Sequence, residues 1–248
     1  DLPGFGSEPL VSKDWGVPEY GEWVQKQIEQ LNPTDHSIIL LGHSFGGRIA
    51  AYLASQNPSW LKAVILCGTP ALYRPDANTI FKIKLAKLFK RVFPFIKSNR
   101  FKATELIEAE ASDLGIIFRN TVVFDQTNLL PRIKVPTLLL WGSNDLAVPL
   151  SIAREMHDII AHSQLQIISG AGHQTIQESP YLTYAIIKNF LAQIYAVGYL
   201  EMDWGWGRFY AMLALFEAGM CSLVLCNSLF FSYMILEVLT LGTYLLVG

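Results

Sequence analysis

Three features of the chain predict an α/β fold with a mostly parallel sheet flanked by helices. Short apolar runs at residues 37–42, 63–67, 137–141 and 165–168 alternate with stretches of helical periodicity. Each run has the length of a buried parallel strand and gives way to a polar or glycine-containing turn. Between the first run and the helical stretch after it stands a serine bracketed by glycines, Gly42-His43-Ser44-Phe45-Gly46.

Taken in order, Tyr20 to Leu31 carries apolar residues at helical spacing and stops at Asn32-Pro33, which predicts a helix. Ser37–Gly42 reads as the first strand, buried on both faces. Arg48 to Gln56 is a helix closed by Asn57-Pro58. Ala63–Cys67, Thr137–Trp141 and Leu165–Ile168 are the second, third and fourth buried strands, and helices over 151–161 and 181–194 follow the last two. The stretch between the second and third strands is far longer than one crossover helix requires. Within it, residues 77–104 carry eight basic side chains and no acidic one. Phe81, Leu85, Leu88, Phe89, Val92 and Ile96 form an apolar stripe opposite Lys87, Lys90 and Arg91, which predicts an amphipathic basic helix over one end of the sheet. Its basic face reads either as a solvated surface or as one that attracts anionic membrane or an acidic substrate.

A length of 248 residues suits one large α/β domain, or a smaller domain with an appendage. Nineteen basic residues against 21 acidic ones give a net charge of −2, which argues against a nucleic-acid partner. Cys67, Cys221 and Cys226 have no zinc or redox spacing, so neither a disulfide scaffold nor a Cys-rich metal site is expected. With 16% charged residues and a mean hydropathy of +0.30, however, the chain is oily for a soluble domain. The oil is unevenly spread. Residues 196–248 hold five charged side chains, Glu201, Asp203, Arg208, Glu217 and Glu237, out of the 40 in the chain. The chain therefore divides into a body, 1–195, and an apolar helical tail, 196–248.

Gly42–Gly46 fits G-x-S-x-G between a strand and a helix. In a tight strand-to-helix turn, small flanking residues permit a strained backbone that exposes Ser44 Oγ above the sheet edge. The Phe45 N–H, at a helix N-terminus, then points at a developing oxyanion. A serine hydroxyl needs a base, and the base an orienting acid. Asp145 follows the third strand in Trp141-Gly-Ser-Asn-Asp145, and His173 follows the fourth in Gly170-Ala-Gly-His173. Both emerge at the carboxyl edge of the sheet, where Ser44 also lies and where open α/β sheets bind ligands. Asp145 could instead cap the following helix, and Asp125, before the third strand, is a weaker candidate for the acid. His43 sits beside the nucleophile and points elsewhere; His36, His157 and His162 read as surface residues.

With these residues in place the chain resembles the α/β-hydrolase superfamily, in its fold-1 branch of capped esterases, lipases and carbon–carbon bond hydrolases. The matching segments are Asp1–Gly6, Leu40–Gly47, Val135–Asp145 and Gly170–His173, spread over roughly 1–194. The resemblance implies Ser44 as nucleophile, His173 as general base, Asp145 as acid and the Phe45 N–H as an oxyanion donor, with no metal or organic cofactor. It makes residues 70–132 a cap that sets substrate choice. A serine at position 44 excludes relatives that use aspartate there, such as haloalkane dehalogenases and epoxide hydrolases. Family members begin with several strands and a His-Gly loop carrying a second oxyanion N–H, all ahead of the position of Asp1. The chain is thus expected to be a piece of a longer polypeptide, and loss of one oxyanion donor costs ~10²–10³ in rate.

In the tail, Phe209–Cys226 and Leu229–Val247 are each apolar but for one glutamate. At about 1.5 Å per residue either would approach the ~30 Å hydrocarbon core, predicting a transmembrane hairpin turning at Asn227-Ser228. Trp204, Trp206, Phe209 and Tyr210 lie where an aromatic belt would sit, and Arg208 with Lys188 favours a cytoplasmic hydrolase domain. Glu217 and Glu237, equidistant from Asn227, would pair at equal depth. The expected function is a membrane-associated serine hydrolase acting on a small acyl or lipophilic substrate through an acyl-enzyme. A carbon–carbon bond hydrolase with the same triad and a non-catalytic membrane scaffold are the alternatives.

Overall fold

A computed structural model describes residues 1–12, 14–74, 115–199 and 206–247. The chain forms two compact units: Asp1–Leu140 with Leu146–Leu165, and Trp141–Asp145 with Gln166–Gly248. The basic helix expected over 77–104 lies outside the described residues.

The strands β1 (Ile38–His43), β2 (Leu61–Cys67), β3 (Thr137–Gly142) and β4 (Ser163–Ile168) lie in that order in one sheet. β3 and β4 run from the first unit into the second. β1 and β3 both pair with β2 in parallel, placing Leu41 opposite Ile65 and Leu66 opposite Leu139. β2 is buried but for half-buried Lys62, and β3 is buried along its whole length, as near-continuous apolar runs require between two layers. The expectation of four strands buried on both faces fails for the outer two. β1 and β4 are the edges of the described sheet, and their burial alternates, leaving Ile39, Leu41 and Ile167 exposed. An apolar run looks the same in sequence whether one neighbour covers it or two.

In the first unit α1 (Val17–Glu29) starts ahead of the predicted Tyr20. The Gly16 N–H donates to Glu19 Oε2 at 2.8 Å, and Pro18 stands in the first turn, where its missing N–H costs nothing. α2 (Phe45–Ser55) also starts early, directly after Ser44. Tyr20, Ile49 and Leu53 pack with Ile117 of α3 (Gly115–Val123) into one buried cluster. The Tyr20 hydroxyl donates to Pro3 O at 2.8 Å, and its ring meets Phe45 edge-on at 5.1 Å. This holds the Asp1–Ser7 turn close to α2, with Phe5 5.8 Å from Phe45. Arg48 is buried to 4% exposure, yet its guanidinium donates to Thr121 O at 2.8 Å and Phe124 O at 2.9 Å. It thereby satisfies carbonyls at the end of α3 and seats the returning part of the 70–132 insertion on α2. Burial lowers its pKa to about 10, so it remains charged at neutral pH. α4 (Leu150–Ile159) follows β3, and buries Ala153 and Met156.

The second unit contains the loops after β3 and β4, then α5 (Thr175–Glu178), α6 (Pro180–Tyr199), α7 (Trp206–Leu225) and α8 (Leu229–Val247). α7 and α8 fold back on each other through residues 226–228, at the predicted turn. Gly219 permits their close approach, since a Cβ there would lie 2.6 Å from Leu239 Cδ2. The transmembrane expectation is not borne out: among the described residues, no helix is long and apolar enough to cross a membrane. A carboxylate interrupts each apolar run, Glu217 in α7 and Glu237 in α8. Glu237 accepts a hydrogen bond from Tyr233 on its own helix, while Glu217 lines a cavity of about 390 Å³ between α6 and α7.

Candidate active site

Ser44 stands at the junction of β1 and α2 with φ 51° and ψ −114°, a conformation costly for any residue with a Cβ. Its N–H donates to Cys67 O at 2.9 Å, fastening the turn to β2, and its carbonyl accepts the Arg48 N–H at 3.2 Å, opening α2. Gly42 is the residue that makes the turn possible. A Cβ there would lie 2.5 Å from Gly46 O and 2.7 Å from Gly47 Cα, so the start of α2 could not pass so close to β1. Gly46 differs: a Cβ there would meet open space. Only the first glycine of G-x-S-x-G is therefore demanded by packing. Phe45 N–H is the first amide of α2 and belongs to the donors that a helix cannot satisfy internally.

In the second unit the structure brings Asp145 and His173 together. Asp145 Oδ2 lies 2.8 Å from His173 Nδ1, with the aspartate side chain 1% exposed and the histidine 21%. A carboxylate on Nδ1 holds the proton there and leaves Nε2 as the acceptor. Asp145 does not cap α4, whose N-cap position is taken by Pro149. Asp125 is engaged elsewhere: it accepts from Arg74 Nη1 at 3.3 Å, from the Tyr73 N–H, and from the Thr127 hydroxyl at 2.7 Å. Of the other histidines, His157 Nδ1 lies 2.8 Å from Ser163 Oγ, and His36 Nδ1 lies 3.2 Å from Leu61 O. Ser44 belongs to the first unit, whereas Asp145 and His173 belong to the second.

The histidine loop is held by residues that the sequence reading passed over. Gly170 N–H donates to Ser143 Oγ at 2.9 Å, and Asn144 N–H donates to Ala171 O at 2.9 Å. Gly142 must be glycine, because a Cβ would run into the carbonyls of Ala171 and Gly172. On the far side of His173, Glu178 accepts the N–H groups of Gly172 at 2.6 Å and Gln174 at 3.0 Å. Thr175-Ile-Gln-Glu178 was the available signal, since it reads as a capping box. The glutamate instead reaches back past Thr175 to the histidine loop. Among the described residues, no cluster of His, Cys, Asp or Glu could hold a metal ion.

The profile of the Alpha/beta hydrolase family matches residues 1–185. Human monoacylglycerol lipase ABHD6 is 24% identical over 225 residues, covering 79% of this chain and 67% of that protein. Among solved structures, a thermophilic esterase from Thermogutta terrifontis superimposes with a TM-score of 0.59 at 25% identity, over 78% of either chain. A different similarity is confined to 60 residues. There the chain is 55% identical to NAD(P)H-quinone oxidoreductase subunit 5, organellar chromatophore 2, of Paulinella chromatophora, covering 24% of this chain and 10% of that protein.

Proposed function

Since the chain belongs to the alpha/beta hydrolase family, we propose that it is a serine hydrolase cleaving an ester or related acyl substrate through an acyl-enzyme. The observation that carries this reading is the buried Asp145 carboxylate 2.8 Å from His173 Nδ1, since that pairing is what a general base for a serine requires. The strained turn at Ser44 supports the same reading from the other unit. In the proposed reaction, Ser44 Oγ attacks the acyl carbon and its proton passes to His173 Nε2. The Phe45 N–H donates to the oxyanion of the tetrahedral intermediate. Collapse breaks the bond to the leaving alcohol, which takes the proton from His173. Water then attacks the acyl-enzyme with His173 again as base, releasing the acid and regenerating Ser44. Asp145 fixes the imidazole tautomer and stabilises the imidazolium. No step calls for a metal or organic cofactor. The lipase and esterase names of the relatives support a small acyl or lipophilic substrate.

In this reading the apolar tail, residues 196–248, is what associates the protein with a membrane. The family profile stops at residue 185. The 60-residue likeness to the quinone oxidoreductase subunit is of a size to fall on what remains. α8 exposes Leu229, Phe230, Phe231, Tyr233, Leu241 and Tyr244, a surface too apolar to stay in water without a partner.

Labelling the full chain with a fluorophosphonate probe, beside a Ser44→Ala variant, tests the hydrolase reading. Labelling that disappears in the variant supports an activated serine. A folded wild-type chain that takes no label would sink the reading and favour a non-catalytic scaffold.

A further inference from the structure

We infer that Glu178 is a positioning residue for His173, a role that rests on His173 being the general base. The Glu178 carboxylate straddles that residue in the chain. One oxygen accepts the N–H of Gly172 at 2.6 Å and the other the N–H of Gln174 at 3.0 Å. Both donors are backbone amides, and the carboxylate gives each its own acceptor oxygen with charge assistance. The neighbouring backbone is shaped to receive it: a Cβ on Gly172 would lie 3.1 Å from Glu178 Oε1 and 3.3 Å from Oε2, so glycine permits the approach.

The opposite side of the loop is pinned independently. Ser143 Oγ accepts the Gly170 N–H, and the Asn144 N–H is given to Ala171 O. The imidazole is itself tied to Asp145. Residues 170, 171, 172 and 174 thus each have a backbone group bonded, with His173 between the two anchors. Removing Glu178 frees the segment from Gly172 to Gln174 on one side only. The ring stays bonded to Asp145 but loses its fixed backbone, and a base that wanders by about an ångström loses roughly 100-fold in proton-transfer efficiency. α5 is a single turn, so its own hydrogen bonds hold the loop weakly.

The test is the concentration dependence of fluorophosphonate labelling for the wild-type full chain, Glu178→Gln and Glu178→Asp, with Ser44→Ala as the blank. Glutamine keeps one acceptor and turns an NH₂ group toward the other amide. It is expected to lower the maximal labelling rate roughly 10- to 100-fold while half-saturation stays unchanged. Aspartate keeps both oxygens and is expected to recover part of that rate. A merely structural glutamate would instead lower the melting temperature and leave the labelling rate of the folded protein intact. Should Glu178→Gln fail to fold, Gly172→Ala crowds the carboxylate without removing it and is expected to show the same loss in rate. Wild type that labels, with Glu178→Gln labelling equally fast, overturns this inference alone. Folded wild type that does not label overturns the triad reading and this inference with it.

Discussion

β3 and α8 are built from similar material and end in opposite surroundings. Thr137-Leu-Leu-Leu-Trp-Gly142 is buried at every position. Leu229–Val247 is also predominantly apolar, yet Phe230, Phe231, Leu241 and Tyr244 are exposed, and Leu239 is the large apolar side chain that α8 buries among the described ones. An apolar sequence specifies a demand for burial; the rest of the chain decides whether the demand is met. Around β3 it is met by neighbouring strands and the layers on either face. Around α8, among the described residues, α7 meets it along one stripe, at Gly219 and Leu239. Each Leu or Phe left in water forgoes roughly 1.5–3 kcal/mol. That deficit is the physical basis for assigning the tail an apolar partner.

The contrast breaks most sharply in function. Asp145→Asn is expected to lower fluorophosphonate labelling by roughly 10⁴-fold, because the wrong imidazole tautomer is then favoured. Truncation before Trp206 is expected to leave the labelling rate unchanged while moving the protein from the membrane pellet to the soluble fraction. A truncated chain that loses labelling to a comparable degree would make the tail part of the active machinery. One that stays in the pellet would remove its anchoring role.

Stability sharpens the same comparison at a smaller scale. Leu139→Ala empties a site that is 0% exposed, and is expected to cost about 2–5 kcal/mol in urea unfolding. Leu241→Ala, on the open side of α8, is expected to stay within about 0.5 kcal/mol for the isolated chain. A large loss at Leu241 in detergent-free solution would mean that this face is covered by the chain's own residues or by a second copy.

What the sequence made legible follows the range of the interaction concerned. The elbow at Ser44 was readable because a strand, a glycine and a helix start lie within a few residues, and Gly42 has to be glycine for a local reason. Asp145 and His173 could be placed because each follows a strand, and parallel strands deliver their ends to one edge. The openness around Gly46 was not readable, since the motif carries two glycines and packing demands one. Glu178 was missed because its partners are backbone amides of the histidine loop, whereas the side-chain pattern Thr175-Ile-Gln-Glu178 points only to a local helix cap. The half-covered faces of β1 and β4 were missed because periodicity reports what a strand can bury and not how many neighbours it has. The transmembrane expectation rested on the apolar length of the two tail segments, and among the described residues no helix is long and apolar enough to cross a membrane.

The cysteines carry the comparison into titration. Cys67, at the end of β2, is fully buried, and burial pushes its thiol from 9.0 up to about 12. Cys221 on α7 and Cys226 in the turn are half-exposed. At about pH 8 a disulfide reagent is therefore expected to modify the tail thiols in the native protein and to reach Cys67 only after unfolding. The sign of the pH effect follows from which state holds the proton. Between 9.0 and about 12 the unfolded chain has released the Cys67 proton and the folded chain has kept it. Stability then falls as pH rises through that window, by at most about 1.4 kcal/mol per pH unit, and is untouched near neutrality. Cys67→Ala is expected to remove this part of the alkaline slope in urea midpoints, whereas Cys221→Ala leaves it in place. A native Cys67 that reacts as fast as Cys221 would mean that β2 opens to solvent with the tail, and the distinction between a covered sheet and an uncovered helix would fail at its best-buried strand.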